Sequence, residues 1–71
     1  MNNNHLLDLV PFGKTITDED MEHIVGSIHL YYKTNGKNIR FYKPDKNHAH
    51  KYLYDDYYEF EYCNNVWLRI K

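Results

Sequence analysis

At 71 residues, with nine Lys and Arg, ten Asp and Glu and a net charge of −1, the chain reads as a single domain over residues 1–71. That balance argues against a dedicated, strongly basic nucleic-acid binder. The single cysteine excludes an internal disulfide, and no apolar run is long enough to span a membrane. Met1-Asn2-Asn3-Asn4 lacks the basic start and apolar middle of a secretory leader, so a cytoplasmic setting is the default. A core of this size supplies about 3–5 kcal/mol of net stability. Tight aromatic packing, a metal or self-association would have to hold the fold. Eight Tyr, three Phe and one Trp make the first of these available.

His5-Leu6-Leu7-Asp8-Leu9-Val10 is a short apolar segment that Asn4 can cap and that Pro11-Phe12-Gly13 ends. Its leucines are expected to cover one side of a sheet. Thr17-Asp18-Glu19-Asp20 looks like a helix start, with a capping hydroxyl and acids in the first turn. Beyond it two periods compete. Met21, Ile24, Val25 and Ile28 fall at helical spacing, whereas Ile24, Gly26, Ile28, Leu30 and Tyr32 alternate as a strand does. The following Asn35-Gly36 is a strong hairpin signal and tips the choice. The expectation is a short helical turn at Thr17 to Glu22 and a strand from about Ile24 to Lys33, with Gly26 at a bulge. A two-residue loop at Asn35-Gly36 pairs Tyr32 with Ile39 and Leu30 with Phe41 on the apolar face. Tyr31 with Arg40 and His29 with Tyr42 then form the other face.

Pro44 ends the second strand, and Asp45 to His50 is a polar connection. Lys51-Tyr52-Leu53-Tyr54 begins another extended stretch, continuous with a terminal hairpin through Asp55-Asp56. At the tip of that hairpin, a two-residue Asn64-Asn65 loop would set Phe60 opposite Arg69 and mix apolar with charged residues. A three-residue loop, Cys63-Asn64-Asn65, instead pairs Phe60 with Leu68 and Tyr62 with Val66, which suits the apolar pattern. That register turns Trp67 outward. The fold expected is α+β, mostly β: a small antiparallel sheet of about four strands in two hairpins, with a short N-terminal helical segment.

Three groups of residues invite a chemical reading. In an extended chain His48 and His50 point the same way, so both imidazoles can reach one metal ion. Cys63 is the natural third ligand for a structural zinc, with His5, His23, His29, Asp45 and Asp55 in reserve. The plainer alternative is two solvated histidines in a loop. Catalysis by Cys63 with a histidine has little support, since so short a chain offers little from which to build a cleft or an oxyanion hole.

The second group is the acidic and aromatic strand: Tyr54, Asp55, Asp56, Tyr57, Glu59 and Glu61, with the outward Trp67 beside them. Aromatics that anchor and acids that steer suit a basic groove on another protein. A solvated face with Glu59 paired to Arg69 is the alternative. The third group is the basic hairpin, where Lys37 and Arg40 alternate with Tyr31 and Tyr42 and Lys33, Lys43, Lys46 and Lys51 lie near. Such a face can stack bases and hold phosphates.

A very short chain rich in Asn, Lys and Tyr, with one Cys, acidic and aromatic strands and no catalytic kit, resembles the small phage-encoded inhibitors of bacterial machinery, anti-CRISPR proteins among them. The resemblance is one of type across the whole chain. It implies a non-enzymatic inhibitor inside the bacterial host cell. Such a protein binds a nuclease or other nucleoprotein enzyme, a Cas9-type CRISPR nuclease for example, by direct protein–protein contact. A small nucleic-acid-binding regulator that uses Lys37, Arg40 and Tyr42 is the alternative, with direct nucleic-acid binding the less favoured of the two.

Overall fold

The computed structural model describes residues 3–47 and 51–71. A 3-10 helix (Asn3–Leu9) leads into strand β1 (Thr15–Thr17), helix α1 (Asp18–Ser27), and strands β2 (Tyr31–Thr34), β3 (Asn38–Pro44), β4 (Tyr52–Cys63) and β5 (Val66–Arg69). The strands form one antiparallel sheet in the order β1-β5-β4-β3-β2. This is the expected α+β architecture, with five strands where about four were expected. The additional strand is β1, which pairs Ile16 with Trp67 at the free side of β5.

Helix α1 starts where the sequence indicates. The Thr17 hydroxyl accepts the Asp20 N–H at 3.1 Å, and Asp18, Glu19 and Asp20 occupy the first turn. The helix does not stop at Glu22. It runs on through Val25 to Ser27, so the first part of the stretch expected as a strand is helical, and the strand begins only at Tyr31. Met21, Ile24 and Ile28 are all buried. The alternation of Ile24, Gly26, Ile28 and Leu30 is a coincidence of composition. The 3.6-residue period wins because it puts Met21 and Ile24 on one face toward the sheet.

The core lies on that one side. Phe41 from β3, Phe60 from β4 and Leu7 from the 3-10 helix are fully buried, with Val10, Ile39, Leu30 and Trp67 around them. Phe41 and Phe60 meet edge to face, with ring centroids 6.2 Å apart. Leu7 covers the sheet as the leucine-rich arm suggested, while Leu9 points to solvent.

Both hairpins differ from expectation in register. In the first, Asn35 N–H bonds the Asn38 carbonyl, and the Asn35 side chain accepts from Lys37 and Asn38. Gly36, at φ +89°, takes the left-handed corner. The turn is therefore centred on Gly36-Lys37, one residue later than Asn35-Gly36. Tyr32 faces Phe41 and Thr34 faces Ile39. The slip moves each partner by two residues, so the face assignment is unchanged.

The terminal turn is the larger correction. Asn64 and Asn65 both have positive φ, 53° and 67°, which is the geometry of a two-residue hairpin turn. Cys63 then pairs with Val66, Tyr62 with Trp67 and Phe60 with Arg69. The three-residue loop is overturned, and every side chain of β5 changes face. Trp67 is inside, 8% exposed, with its indole N–H donating to Asp18 at 3.1 Å and its ring 4.9 Å from Tyr62. Arg69 is tolerated opposite Phe60 because its guanidinium leaves the sheet. It donates to the Val10 carbonyl at 2.7 Å and lies over the Tyr58 ring. The strand is thereby fastened to the N-terminal arm, and backbone bonds from Gly13 to Arg69 and from Arg69 to Lys14 complete the clasp.

Replacing Phe60 by Ala should cost about 3–5 kcal/mol, which is as much as a chain of this length holds. Phe60→Ala should lack a cooperative melt by circular dichroism. Thr17→Ala, which removes only the helix cap, should lose about 1 kcal/mol and still melt cooperatively.

Candidate functional site

β4 is twelve residues long and is extended throughout, but it does not keep one alternation. Tyr57 pairs with Tyr42, and the next pairing is Tyr52 with Pro44. Four residues of β4, Leu53 to Asp56, thus face the single Lys43 of β3. The excess is three, an odd number, so the side chains beyond this bulge swap faces. Tyr52 and Tyr54, which strict alternation would place on the core side, join Tyr57 on the opposite side. Asp55-Asp56 sits at the bulge, where two residues unfavourable in strands cost least.

The result is a cluster of five tyrosines on the face that no helix covers among the described residues. Tyr42 is at its centre, 6% exposed. Its ring lies 5.7 Å from Tyr31, 5.4 Å from Tyr54 and 5.5 Å from Tyr57, and Tyr31 is 5.4 Å from Tyr52. Cations overlie the rings. Lys33 stands over Tyr31 and Tyr54, Arg40 over Tyr57 at 4.6 Å, and Lys71 over Tyr57 at 4.0 Å. Val66, Leu68 and Ile70, half-buried, continue the same face along β5.

Glu59, an acid of this face, is already engaged. It accepts from Arg40 at 2.7 Å and from the Asn38 amide at 3.0 Å. Hydrogen bonding with Tyr42, and then with Glu59, raises the pKa of Arg40 above its ordinary value. Beside this pair a shallow groove of about 450 Å³ is lined by Lys33, Asn35, Asn38 and Arg40.

The acidic and aromatic strand read from the sequence is therefore divided. Tyr54, Tyr57, Glu59 and Glu61 lie on the open face. Trp67 is in the core and leaves the candidate site, because the two-residue turn reversed β5. Glu59 pairs with Arg40 and not with Arg69. Asp56 pairs with Lys43 at 3.2 Å, and Asp55 is exposed at the bulge. Of the basic hairpin, Lys33, Arg40, Tyr31 and Tyr42 contribute to the open face, while Lys43 lies over the core-side Tyr58 ring. Tyr52 and Lys71 belong to the site and were missed. The Asp55-Asp56 pair in mid-strand was the signal for Tyr52.

His48 and His50 lie outside the described residues. Cys63 is exposed and stands at the opposite end of β4 from Lys51. Eleven positions of β4 separate Tyr52 from Cys63 at its far end. Among the described residues no group of three or more His, Cys, Asp or Glu could hold a metal ion.

On the core side, the Tyr58 hydroxyl donates to Asp8 at 2.7 Å. Burial first, then that hydrogen bond and the Asp8 charge, push the Tyr58 phenol up to about 12. An unfolded tyrosine ionises near about 10. The folded state therefore holds this proton more tightly. The stability it contributes is complete below about pH 10 and is lost as pH rises toward about 12. A tyrosinate absorbance titration should show one phenol ionising near pH 12, with the melting temperature falling across the same window. Asp8→Asn should bring that phenol down. No family model matches the chain, and neither a curated protein nor a solved structure matches it.

Proposed function

We propose that this chain is a non-enzymatic binding protein that lays the open face of its sheet against a partner protein. The observation that carries the reading is the five-tyrosine cluster around Tyr42. Tyrosine and arginine are the residues enriched where protein interfaces concentrate their energy. Rings already packed on one another, and fixed beneath Lys33, Arg40 and Lys71, have little rotamer freedom left to lose on binding. The pairing of Glu59 with Arg40 and Asn38 means that its carboxylate can be desolvated without being left unpartnered. The partner class follows from the resemblance of type to small phage inhibitors. It is a bacterial nucleic-acid-processing enzyme, and a Cas9-type nuclease is the first to test.

A second reading has an observation of its own. Cations over stacked rings, next to a polar groove lined by Lys33 and Arg40, also fit single-stranded nucleic acid. The loss of Trp67 from the surface and the pairing of Glu59 and Asp56 weaken the face as an acidic decoy and favour this alternative relative to the sequence alone.

Two assays separate them. With a protein partner, the purified chain should inhibit target cleavage by a Cas9-type nuclease and leave the anisotropy of labelled oligonucleotides unchanged at physiological salt. Tyr54→Ala, at a 66% exposed position, should weaken inhibition by about thirtyfold, the 2 kcal/mol of an aromatic hot spot. Its melt should stay cooperative, with a loss of about 1 kcal/mol for the aromatic contact to Tyr42. Oligonucleotide binding that weakens steeply with salt and is lost in Tyr54→Ala would instead establish the second reading.

A further inference from the structure

β2 is the edge of the sheet, and its outer side is unpaired among the described residues. Which of its backbone groups face outward follows from the ladder. The Asn35–Asn38 bond makes that pair a hydrogen-bonded one, so Lys33–Arg40 and Tyr31–Tyr42 are hydrogen-bonded as well. The N–H and C=O of Tyr32 and Thr34 then point away from β3. These two residues also carry their side chains on the helix side, opposite Phe41 and Ile39.

On that side an open groove of about 380 Å³ runs between the edge and α1. Met21, Val25 and Gly26 form one wall, Tyr32 the other, and Ile39 the floor, with Glu22 at the rim. α1 packs on β1 and β5, at the far half of the sheet, and this leaves the groove uncovered. The wall is open at Gly26, where a Cβ would meet nothing within 4 Å. The charge of the groove is one-sided. Asp18 and Glu22 line it, and Glu19 and Asp20 lie in the same turn of the helix. The ion pairs Arg40–Glu59 and Lys43–Asp56 lie elsewhere.

We propose that this groove takes an extended segment of a partner protein, apolar and basic in composition, which adds to β2 as a sixth strand. Its backbone bonds Tyr32 and Thr34. Alternate side chains enter the groove beside Val25 and Gly26, and a Lys or Arg meets the acids of α1. Strand addition of this kind draws affinity from main-chain bonds and specificity from the pockets taken by alternate side chains. A second copy of this chain fits poorly. The antiparallel register that uses the free groups of both Tyr32 and Thr34 sets Lys33 opposite Lys33, and like charges directly opposite are destabilising. The groove lies on the helix side, away from the tyrosine face, so both surfaces can be occupied at the same time.

The test is a display library of random seven-residue peptides selected on the purified chain. Enriched peptides should alternate apolar residues and carry Lys or Arg, and they should protect the Tyr32 and Thr34 amides from hydrogen exchange. Gly26→Trp, which fills the groove, should weaken their binding at least tenfold. Gly26→Ala should bind as the parent does, and Glu22→Lys should shift selection toward acidic peptides. The proposal is overturned by the absence of enrichment, by peptides that bind Gly26→Trp equally well, or by unchanged exchange at Tyr32 and Thr34. Dimerisation of the chain through β2 would overturn it too.

Discussion

A single ten-residue helix and a 3-10 turn can cover one face of a five-stranded sheet and no more. That constraint organises the molecule. The covered side takes the buried aliphatic residues and the two fully buried phenylalanines, which meet edge to face between β3 and β4. The other side must be stable in water without a lid. A face of Val and Phe would be an aggregation hazard. A face of Lys and Glu would bury almost nothing. Tyrosine is the compromise available, since it buries a ring and keeps a hydroxyl wet. Tyr42 is as inaccessible as Ile24, although it lies on the open face among other tyrosines. The second face is thus a minor core made from surface residues.

Two devices make that arrangement compatible with one chain. The bulge at Asp55-Asp56 lets a single strand serve both sides. Phe60 and Tyr58 point to the helix from its C-terminal half, and Tyr54 and Tyr52 point to the open face from its N-terminal half. Arg69 is the other device. A charged residue opposite Phe60 looks like an error of register, but its stem crosses the core edge and its head bonds the Val10 carbonyl. The cost of an interior-facing arginine is offset because that bond holds the N-terminal arm, and with it Leu7, against the sheet.

Those two devices also mark the limits of what the sequence could tell. The Thr17 cap, the faces of the first hairpin and the continuity of β4 through two aspartates were legible, because each depends on residues close in sequence. The extent of α1 was not. Ile24, Gly26, Ile28 and Leu30 satisfy both periods, and only packing on the sheet separates them. The Asn64-Asn65 turn was misread for a related reason. Apolar matching was trusted over turn chemistry, although two adjacent asparagines tolerate positive φ better than almost any other pair. That matching assumed Arg69 must face water. With Arg69 and Trp67 both turned to the core side, the acidic and aromatic surface lost its largest member, and the site shifted to tyrosines contributed by three strands.

β2 links the two surfaces. Its side chains alternate, so Tyr31 and Lys33 belong to the tyrosine face while Tyr32 and Thr34 border the groove beside α1. It has four residues, all of them exposed, and one neighbour in the sheet. A strand held on one side is the part of a sheet that opens most easily. Adding a partner on its free side would restrict Tyr31 and Lys33, and with them the rings of Tyr52, Tyr42 and Tyr54 that they touch. Ordering already incurred at the edge would not have to be incurred again at the open face. Coupling between the two surfaces therefore needs no change of shape, only a loss of freedom shared through one short strand.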